Sequence, residues 1–300
     1  MRVLARSPRW LDQHLAALRA LLVLTVVVGL AYPLVMTGIA QLPGLRAPAD
    51  GSLVTAGGTT VGSALVGQNF TDTNGTPLVQ YLQPRPSAAG ASGYDPTATS
   101  ASNLGPESTV DTLPDPAVKG DTGKQSLLTQ VCSRSVAIGQ LDGVDGRRPY
   151  CADGVGAVLA VFHRTGITGP VTRVVSLNQA CPAKPFVATW DDLAVQCARF
   201  GEDYSAGVVT PVRGDAPAPS AIPPDAVTAS ASGLDPDISP AYARLQAARI
   251  ARARGVTADQ VLTVIGAHTA GRTLGFLGEP RVNVLQANID LDRRYPAAHG

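Results

Sequence analysis

The stretch that comes closest to a known catalytic pattern is residues 266–273, with the sequence GAHTAGRT. Its glycines have the spacing of a phosphate-binding loop, but Arg272 stands where that loop requires lysine. Such a loop also follows a strand, so that backbone N–H groups at a helix start face the phosphates. Here Thr257 and Gln260 fit the capping-box pattern, which predicts a helix before Gly266. The sequence therefore predicts a helix-ending glycine turn rather than a nucleotide site.

The sequence lacks several other common catalytic motifs. It contains no G-x-S-x-G, H-E-x-x-H or S-x-x-K motif. Asp235 could serve as the carboxylate of an anchored envelope hydrolase, but its Gly-Leu-Asp-Pro context is more typical of a turn. The residues alone therefore favour a non-catalytic domain.

All four cysteines lie in the middle third of the chain. The sequence has no C-x-x-C motif and His163 is isolated, so a zinc site is not favoured. Disulfides are the expected state if this part of the chain lies outside the cytoplasm. Of the three possible connectivities we expect the sequential one, which pairs Cys132 with Cys151 and Cys181 with Cys197.

Residues 20–42 form a run of 23 residues without a charge. As a helix this run spans roughly 34 Å, which exceeds a bilayer core of about 30 Å. Arginines dominate the preceding segment, so the positive-inside rule predicts a cytoplasmic tail over 1–19 and an extracytoplasmic location after Leu42. Two alternatives fit less well. A cleaved signal peptide has a shorter apolar core, and a buried core helix does not need the basic flank.

Small residues recur within this apolar run at every fourth position, at Thr25, Gly29, Pro33 and Thr37. Small side chains let another helix approach closely, so this stripe is a candidate packing face for a membrane partner. Pro33 cannot donate a hydrogen bond to the Gly29 carbonyl, which predicts a locally weakened and bent helix. Residues 7–19 are predicted to form a short helix that runs into the anchor, with Trp10 at the interface.

The remaining elements follow from local patterns. The runs 155–163 and 171–178 predict a β-hairpin, and proline-rich 211–224 predicts a linker. The short apolar runs 61–66 and 78–82 predict strands or turn-flanked segments. A net charge of +1 without a basic run beyond the N-terminal flank gives no reason to expect nucleic-acid binding.

The last block carries the clearest helix signals. Ser239 and Pro240 mark the start of a helix that Gly255 ends, and Thr257 starts a second helix. Gln246 lies on the apolar face of the first helix, either as a buried amide satisfied by backbone or as a contact to a partner or ligand. Alternating apolar and polar residues over 285–291 predict a half-buried strand.

Five motifs in order carry a family resemblance: GSALVGQNF (62–70), RPSAAG (85–90), SNLGPES (102–108) and the segments 228–255 and 274–292. With the N-terminal apolar helix, they resemble the KdpC family of the Kdp-type potassium-transporting ATPase over residues 20–115 and 220–295. The resemblance implies a single-pass transmembrane helix (20–42) and an α+β extracytoplasmic domain (43–123 and 216–300). The block 124–215 is then a β-rich, disulfide-containing insertion.

The resemblance also implies a function. A chain of this family is expected to be a noncatalytic accessory subunit of a high-affinity, ATP-driven potassium uptake pump in a bacterial plasma membrane. It would act as an assembly factor and catalytic chaperone that raises the ATP affinity of the P-type ATPase subunit. The expected partners are that subunit, a channel-like potassium-translocating subunit and membrane lipid, with a small single-helix subunit as a further candidate. We expect no metal or cofactor on the chain itself, whereas the complex would use ATP, potassium and magnesium.

The family motifs supply the candidate residues for contacts with partners or for an effect on nucleotide binding. These are Gln246, Gln68, Arg85, Ser87, Asn103, Ser232, Gly233, Asp235, Asn283 and Asn288. Gln246 matches a glutamine that has been proposed to contact nucleotide in this family. Because the arginine bias places Gln246 outside the cell and ATP is inside, we expect an indirect effect. The alternative interpretation is a freestanding, membrane-anchored extracytoplasmic binding domain.

Overall fold

The computed structural model describes residues 8–297 and divides the chain into two compact units, one ending at Ser63 and the other beginning at Ala64. The first unit opens with one continuous helix, built from α1 (Arg9–Leu24), a π-helical segment (Thr25–Ala31) and α2 (Tyr32–Ala40). It has 32 residues, and among the described residues it is the one helix long and apolar enough to cross a membrane. The predicted apolar helix is confirmed as far as Ala40, and the short helix before it is confirmed from Arg9 onward. Residue 7 of the predicted segment 7–19 lies outside the described residues.

Pro33 changes the geometry of this helix. Because Pro33 has no N–H for the Gly29 carbonyl, the regular hydrogen-bond ladder fails there, and the preceding Thr25–Ala31 segment is π-helical. Thr37 Oγ1 donates a hydrogen bond of 2.8 Å to the Pro33 carbonyl one turn later. The predicted weakening thus appears as a wider helical turn.

The first unit ends in a short helix and a hairpin. These are α3 (Arg46–Ala49) and the antiparallel strands β1 (Leu53–Ala56) and β2 (Thr59–Ser63). Gly57 and Gly58 connect the strands with φ values of +57° and +82°, which glycine adopts without strain. The apolar run 61–66 is therefore a strand only as far as Ser63.

In the second unit, α4 (Leu127–Asp142) precedes a strand-rich region. Its strands are β3 (Cys151–Ala152), β4 (Val155–Gly156), β5 (Val158–Thr165), β6 (Thr168–Ala180), β7 (Thr189–Trp190), β8 (Leu193–Ala198) and β9 (Val208–Pro211). Five of them form a sheet in the order β7-β8-β6-β5-β9. β5 and β6 form the predicted antiparallel hairpin, and β6 and β8 are parallel.

Two disulfides lie in this region. Cys132 in α4 bonds to Cys151 in β3, and Cys181, just after β6, bonds to Cys197 in β8. The Cα–Cα distances are 5.6 and 5.1 Å. The predicted sequential connectivity is confirmed.

The C-terminal part of the second unit contains α5 (Pro224–Val227), β10 (Asp237–Ile238), α6 (Pro240–Arg254), α7 (Ala258–Ala267), β11 (Thr269–Ala270), β12 (Arg281–Asn283) and α8 (Val284–Arg294). The three strands form a small sheet in the order β10-β12-β11. The largest hydrophobic core of the unit lies among α6, α7 and α8 and includes Leu82, Ile222 and Ile250.

The predicted starts of two of these helices are confirmed. Ser239 Oγ accepts a hydrogen bond of 3.1 Å from the Tyr242 N–H at the start of α6, and Gly255 ends that helix with φ +66°. Thr257 and Gln260 form both hydrogen bonds of a capping box at the start of α7.

The predicted strand over 285–291 is wrong, because this segment belongs to α8. Its buried residues follow a helical spacing: Val284, Leu285, Ala287, Asn288, Asp290 and Leu291. The alternation is misleading because it treats Asn288 and Asp290 as solvent-facing, whereas both are buried and hydrogen-bonded.

The segments without regular structure still pack on the domain. Within the predicted linker 211–224, residues 212–223 contain no helix or strand, whereas Pro211 ends β9 and Pro224 begins α5. Ala216 and Ile222 in this segment are nevertheless buried. Residues 78–82 likewise form no strand, although Leu82 lies fully buried in the core. This second segment needs partners for its backbone groups, and side chains supply them.

Candidate functional site

Gln246 and Asn288 bind the backbone of two consecutive buried residues. Gln246 Oε1 accepts a hydrogen bond of 2.7 Å from the Gln83 N–H, and its Nε2 donates one of 3.1 Å to the Gln83 carbonyl. Asn288 does the same to Leu82, with distances of 2.8 and 3.0 Å. Each amide thus satisfies the two backbone groups that a neighbouring strand would satisfy in a sheet. Gln246 is the backbone-satisfied buried amide that the sequence left open as one of two interpretations.

Two arginines of α6 bind the same segment just upstream. Arg249 Nη1 donates to the carbonyls of Val79 and Tyr81, at 2.6 and 3.0 Å, and its Nη2 donates to Gln246 Oε1 at 2.7 Å. Arg254 Nε donates to the Gln80 carbonyl at 2.8 Å, and its guanidinium lies 5.1 Å from the Tyr81 ring centroid. We call residues 79–83 with these side-chain partners the polar clamp.

A second cluster joins two of the family motifs through Arg85. Arg85 Nη1 forms an ion pair of 2.8 Å with Asp235 Oδ2, and its Nε and Nη2 each lie 3.3 Å from the Thr228 carbonyl. Asp235 Oδ1 also accepts a hydrogen bond from the Asp237 N–H at 3.0 Å. Both carboxylate oxygens are therefore engaged in holding the turn that the sequence predicts at Asp235.

Ser87 and Gly233 bring the same two motifs into close contact. Ser87 Oγ donates to the Gly233 carbonyl at 2.6 Å and accepts hydrogen bonds from the N–H groups of Ala89 and Tyr94. Gly233 has φ +72°, and a Cβ there would lie 2.7 Å from Ala89 Cβ, so a larger residue does not fit. Burial, with the nearby Asp235 carboxylate, raises the pKa of Tyr94, whose hydroxyl donates to the Arg85 carbonyl at 2.6 Å.

The other candidates lie outside these two clusters or on their edges. Asn283 caps α8, where its Oδ1 accepts from the Gln286 N–H and its Nδ2 donates to the Ala64 carbonyl. Ser232 is exposed, and its Oγ accepts from the Leu234 N–H. Gln68 is half-buried, and Asn103 is exposed with φ +51°. The predicted residues therefore do not form one site.

The phosphate-loop mimic begins inside a helix, which agrees with the prediction of a helix at this point, but Gly266 does not end that helix. α7 includes Gly266 and ends at Ala267, and after His268 the chain enters β11 instead of a second helix. His268 Nε2 lies 3.1 Å from Asp290 Oδ2, which also contacts Arg294. The segment therefore offers no helix start for a phosphate.

A cavity of about 530 Å³ opens between α4 and the segment that follows the polar clamp. Its lining includes Pro84, Arg85, Arg134, Ile138, Leu141 and Tyr242. Arg134 donates to the Val227 carbonyl and to Gln130 Oε1, each at 3.0 Å, and burial lowers the pKa of its guanidinium. The cavity is thus mainly apolar with two arginines in its wall, a composition typical of small-molecule sites.

Comparison with known proteins decides the family. The family model described as the K+-transporting ATPase, c chain, matches residues 14–113 and 202–293, about two thirds of the chain. The potassium-transporting ATPase KdpC subunit of Kineococcus radiotolerans is 36% identical over 95% of this chain and 96% of its own length. That of Myxococcus xanthus is 37% identical over 94% of this chain and 88% of its own length. The chain belongs to the K+-transporting ATPase c-chain family.

The disulfide-containing region is not matched by the family model, but it is covered by the alignments with the two relatives. The family model leaves out residues 114–201, which include all four cysteines. The Kineococcus and Myxococcus relatives match nearly the whole chain, so this region has counterparts in family members of similar length. The region is therefore shared with these two relatives.

Sequence reasoning missed three charged residues of the polar clamp and its surroundings: Asp142, Arg249 and Arg254. Arg249 Nε forms an ion pair of 2.7 Å with Asp142 Oδ1, and both side chains are almost fully buried. Arg249 follows Gln246 by three positions, so both lie on the buried face of α6. A charged residue on an apolar helix face was the signal that could have identified Arg249 as a buried structural residue.

Proposed function

We propose that the chain is the noncatalytic accessory subunit of an ATP-driven potassium uptake pump in a bacterial plasma membrane. The observation that carries this proposal is the match along almost the whole chain to proteins named as KdpC subunits of potassium-transporting ATPases. ATP hydrolysis then takes place on a P-type partner subunit, and potassium passes through a channel-like partner. ATP, potassium and magnesium are used by the complex, with a small single-helix subunit and lipid as further neighbours.

The polar clamp favours an indirect effect on ATP affinity. Both ends of the Gln246 amide already bind Gln83 and Arg249, and the side chain is fully buried. A nucleotide could reach it only if these hydrogen bonds broke and the 79–83 segment moved. A subunit that contacts two pump conformations with different affinities changes the ATP affinity of its partner without touching ATP.

The test compares membranes that contain all pump subunits with membranes that lack only this chain. We expect loss of potassium-stimulated ATPase activity without it, and recovery when the purified chain is added back. A chaperone role further predicts that, as the amount of the chain is reduced below saturation, the apparent ATP affinity falls before the maximal rate does. Unchanged activity and unchanged ATP affinity without the chain would contradict the proposal.

The second candidate is a freestanding, anchored extracytoplasmic binding domain, which the 530 Å³ cavity beside Arg134 favours. Affinity purification of the full chain from its own membranes separates the two functions. The pump proposal predicts a stoichiometric complex with two larger membrane proteins. The chain purified alone, with a small molecule in the cavity, would support the second candidate.

A further inference from the structure

The loop between β11 and β12 carries the most exposed apolar side chains of the second unit's C-terminal part. Thr269 pairs with Val282 and Ala270 with Arg281, and residues 271–280 project between the two strands. Within this loop Leu274 is 79% exposed, Phe276 68% and Leu277 49%. We call residues 271–280 the apolar finger. Three large apolar side chains so close together are unusual on a soluble surface and typical of a contact site.

The apolar finger is held in a defined conformation. The N–H groups of Thr273 and Leu277 each donate to the other residue's carbonyl at 2.9 Å. Arg272 and Glu279 at its base form an ion pair of 2.6 Å. The exposed side chains therefore stand on a small hydrogen-bonded hairpin and keep a fixed relative orientation.

Leu274 adopts a backbone conformation that is unfavourable for leucine. Its φ is +53°, next to Gly275 with φ +82°. A branched residue is strained in this left-handed region, whereas glycine is not. Leu274 is thus unfavourable for the free chain both by its backbone and by its exposure. Strain of this kind is retained where the side chain has a role outside the fold.

The occupant that fits these features best is a protein pocket. A bilayer accepts apolar side chains in many orientations and needs no strained turn to present them. Anionic lipid also attracts free cations, but Arg272 is paired with Glu279 and Arg281 with Asp237, at 2.6 and 3.0 Å. A pocket in a partner protein, by contrast, requires a fixed arrangement of side chains. We propose that the apolar finger inserts into an apolar pocket of another subunit of the potassium ATPase, whose rim contacts the Arg272–Glu279 pair. This inference rests on the proposed function.

The test uses the full chain, co-expressed with the other pump subunits and purified through a tag on one of them. Phe276→Ser combined with Leu277→Ser should reduce retention of the chain about tenfold, because apolar anchor residues dominate such contacts. Ile167→Ser is the matched control, since Ile167 is 77% exposed at the tip of the β5–β6 hairpin. Equal retention of wild type and the finger variant would overturn the inference, as would equal loss with Ile167→Ser.

Leu274→Gly separates docking from folding. Glycine relieves the strain at φ +53°, so the unfolding temperature of the free chain should not fall, whereas retention in the complex should decrease. A fall in both would indicate a structural role and overturn the inference.

Photo-crosslinking identifies the occupant in the assembled complex. With Phe276 replaced by p-benzoylphenylalanine, irradiation should join the chain to another pump subunit, and the same replacement at Ile167 should not. Crosslinks to lipid alone would overturn the inference in favour of a membrane contact. If the wild-type chain is not retained by the other subunits at all, this result contradicts the proposed function itself and not only the role of the apolar finger.

Discussion

Gln246 and Asn288 show how single amide side chains take the place of a missing strand. Each satisfies both backbone groups of one residue in a buried segment that has no strand beside it. Removing either amide therefore leaves a buried donor and acceptor unpaired, which costs more than the hydrogen bonds themselves contribute.

We expect Gln246→Ala to lower the free energy of unfolding by about 3 kcal/mol, since the buried Gln83 N–H and carbonyl lose their partners. Chemical denaturation of the full chain in detergent, without nucleotide, measures this change. Arg252→Ala on the exposed face of the same helix is the control and should have little effect. If Gln246→Ala unfolds like wild type, the clamp is not structural, and an effect of that variant on ATP affinity would need another cause.

Asp290 is expected to make stability depend on pH. Burial disfavours its charge, but hydrogen bonds from Arg294, His268 and Arg293 outweigh this and hold the pKa of Asp290 below its usual value. Its stabilising effect is therefore complete above the unfolded-state value of about 4 and is lost as the pH falls through the folded-state pKa. Asp290→Asn should be less stable than wild type at pH 7, with a difference that shrinks below about pH 4. A difference that stays constant across this range would contradict the assignment.

Among the helices and strands, the sequence predicts correctly those features that depend on interactions between residues close together in the chain. The caps at Ser239 and Thr257 and the β5–β6 hairpin depend on neighbours within a few residues, so they could be read from the sequence. The strand expected at 285–291 failed because burial of Asn288 depends on Leu82, which lies 206 positions away. The contact between Asp142 and Arg249, which lie 107 positions apart, likewise could not be predicted from local sequence patterns.

The Asp142–Arg249 ion pair joins α4 of the disulfide-containing region to α6, which lies in the part of the chain that the family model matches. Asp142→Ala leaves the buried Arg249 guanidinium without its carboxylate and should destabilise the chain by about 3–5 kcal/mol. Asp142→Asn keeps an acceptor for Arg249 and should cost less. Asp145→Ala, which removes an exposed pair with Arg147 three residues further on, is the control and should change little. If all three variants have the same denaturation midpoint as wild type, the ion pair with Arg249 does not stabilise the packing of α4.

The N-terminal helix offers a test of its small-residue face. A Cβ at Gly29 would meet only Thr25 Cγ2, at 3.7 Å, so Gly29→Leu should leave the helix itself intact. On a partner-facing surface the added side chain should prevent close approach and weaken co-purification with the other pump subunits. Gly38→Leu, on roughly the opposite side of the helix, is the matched control, because nothing lies within 4 Å of its Cβ position. Equal retention of both variants in the complex would exclude this face as a contact.

For the whole molecule, the orientation in the membrane decides which contacts with the pump can exist. The arginine-rich flank, including Arg9 and Arg19, argues for a cytoplasmic N-terminus and an outer second unit. All four native cysteines are in disulfides, so an introduced thiol can be labelled selectively. Arg244 is an exposed residue of α6, the helix that also carries Gln246. Arg244→Cys should react with a membrane-impermeant maleimide in intact spheroplasts, whereas Arg9→Cys should react only after lysis. The reverse pattern would place Arg244 beside the cytoplasmic ATP and reopen direct nucleotide contact.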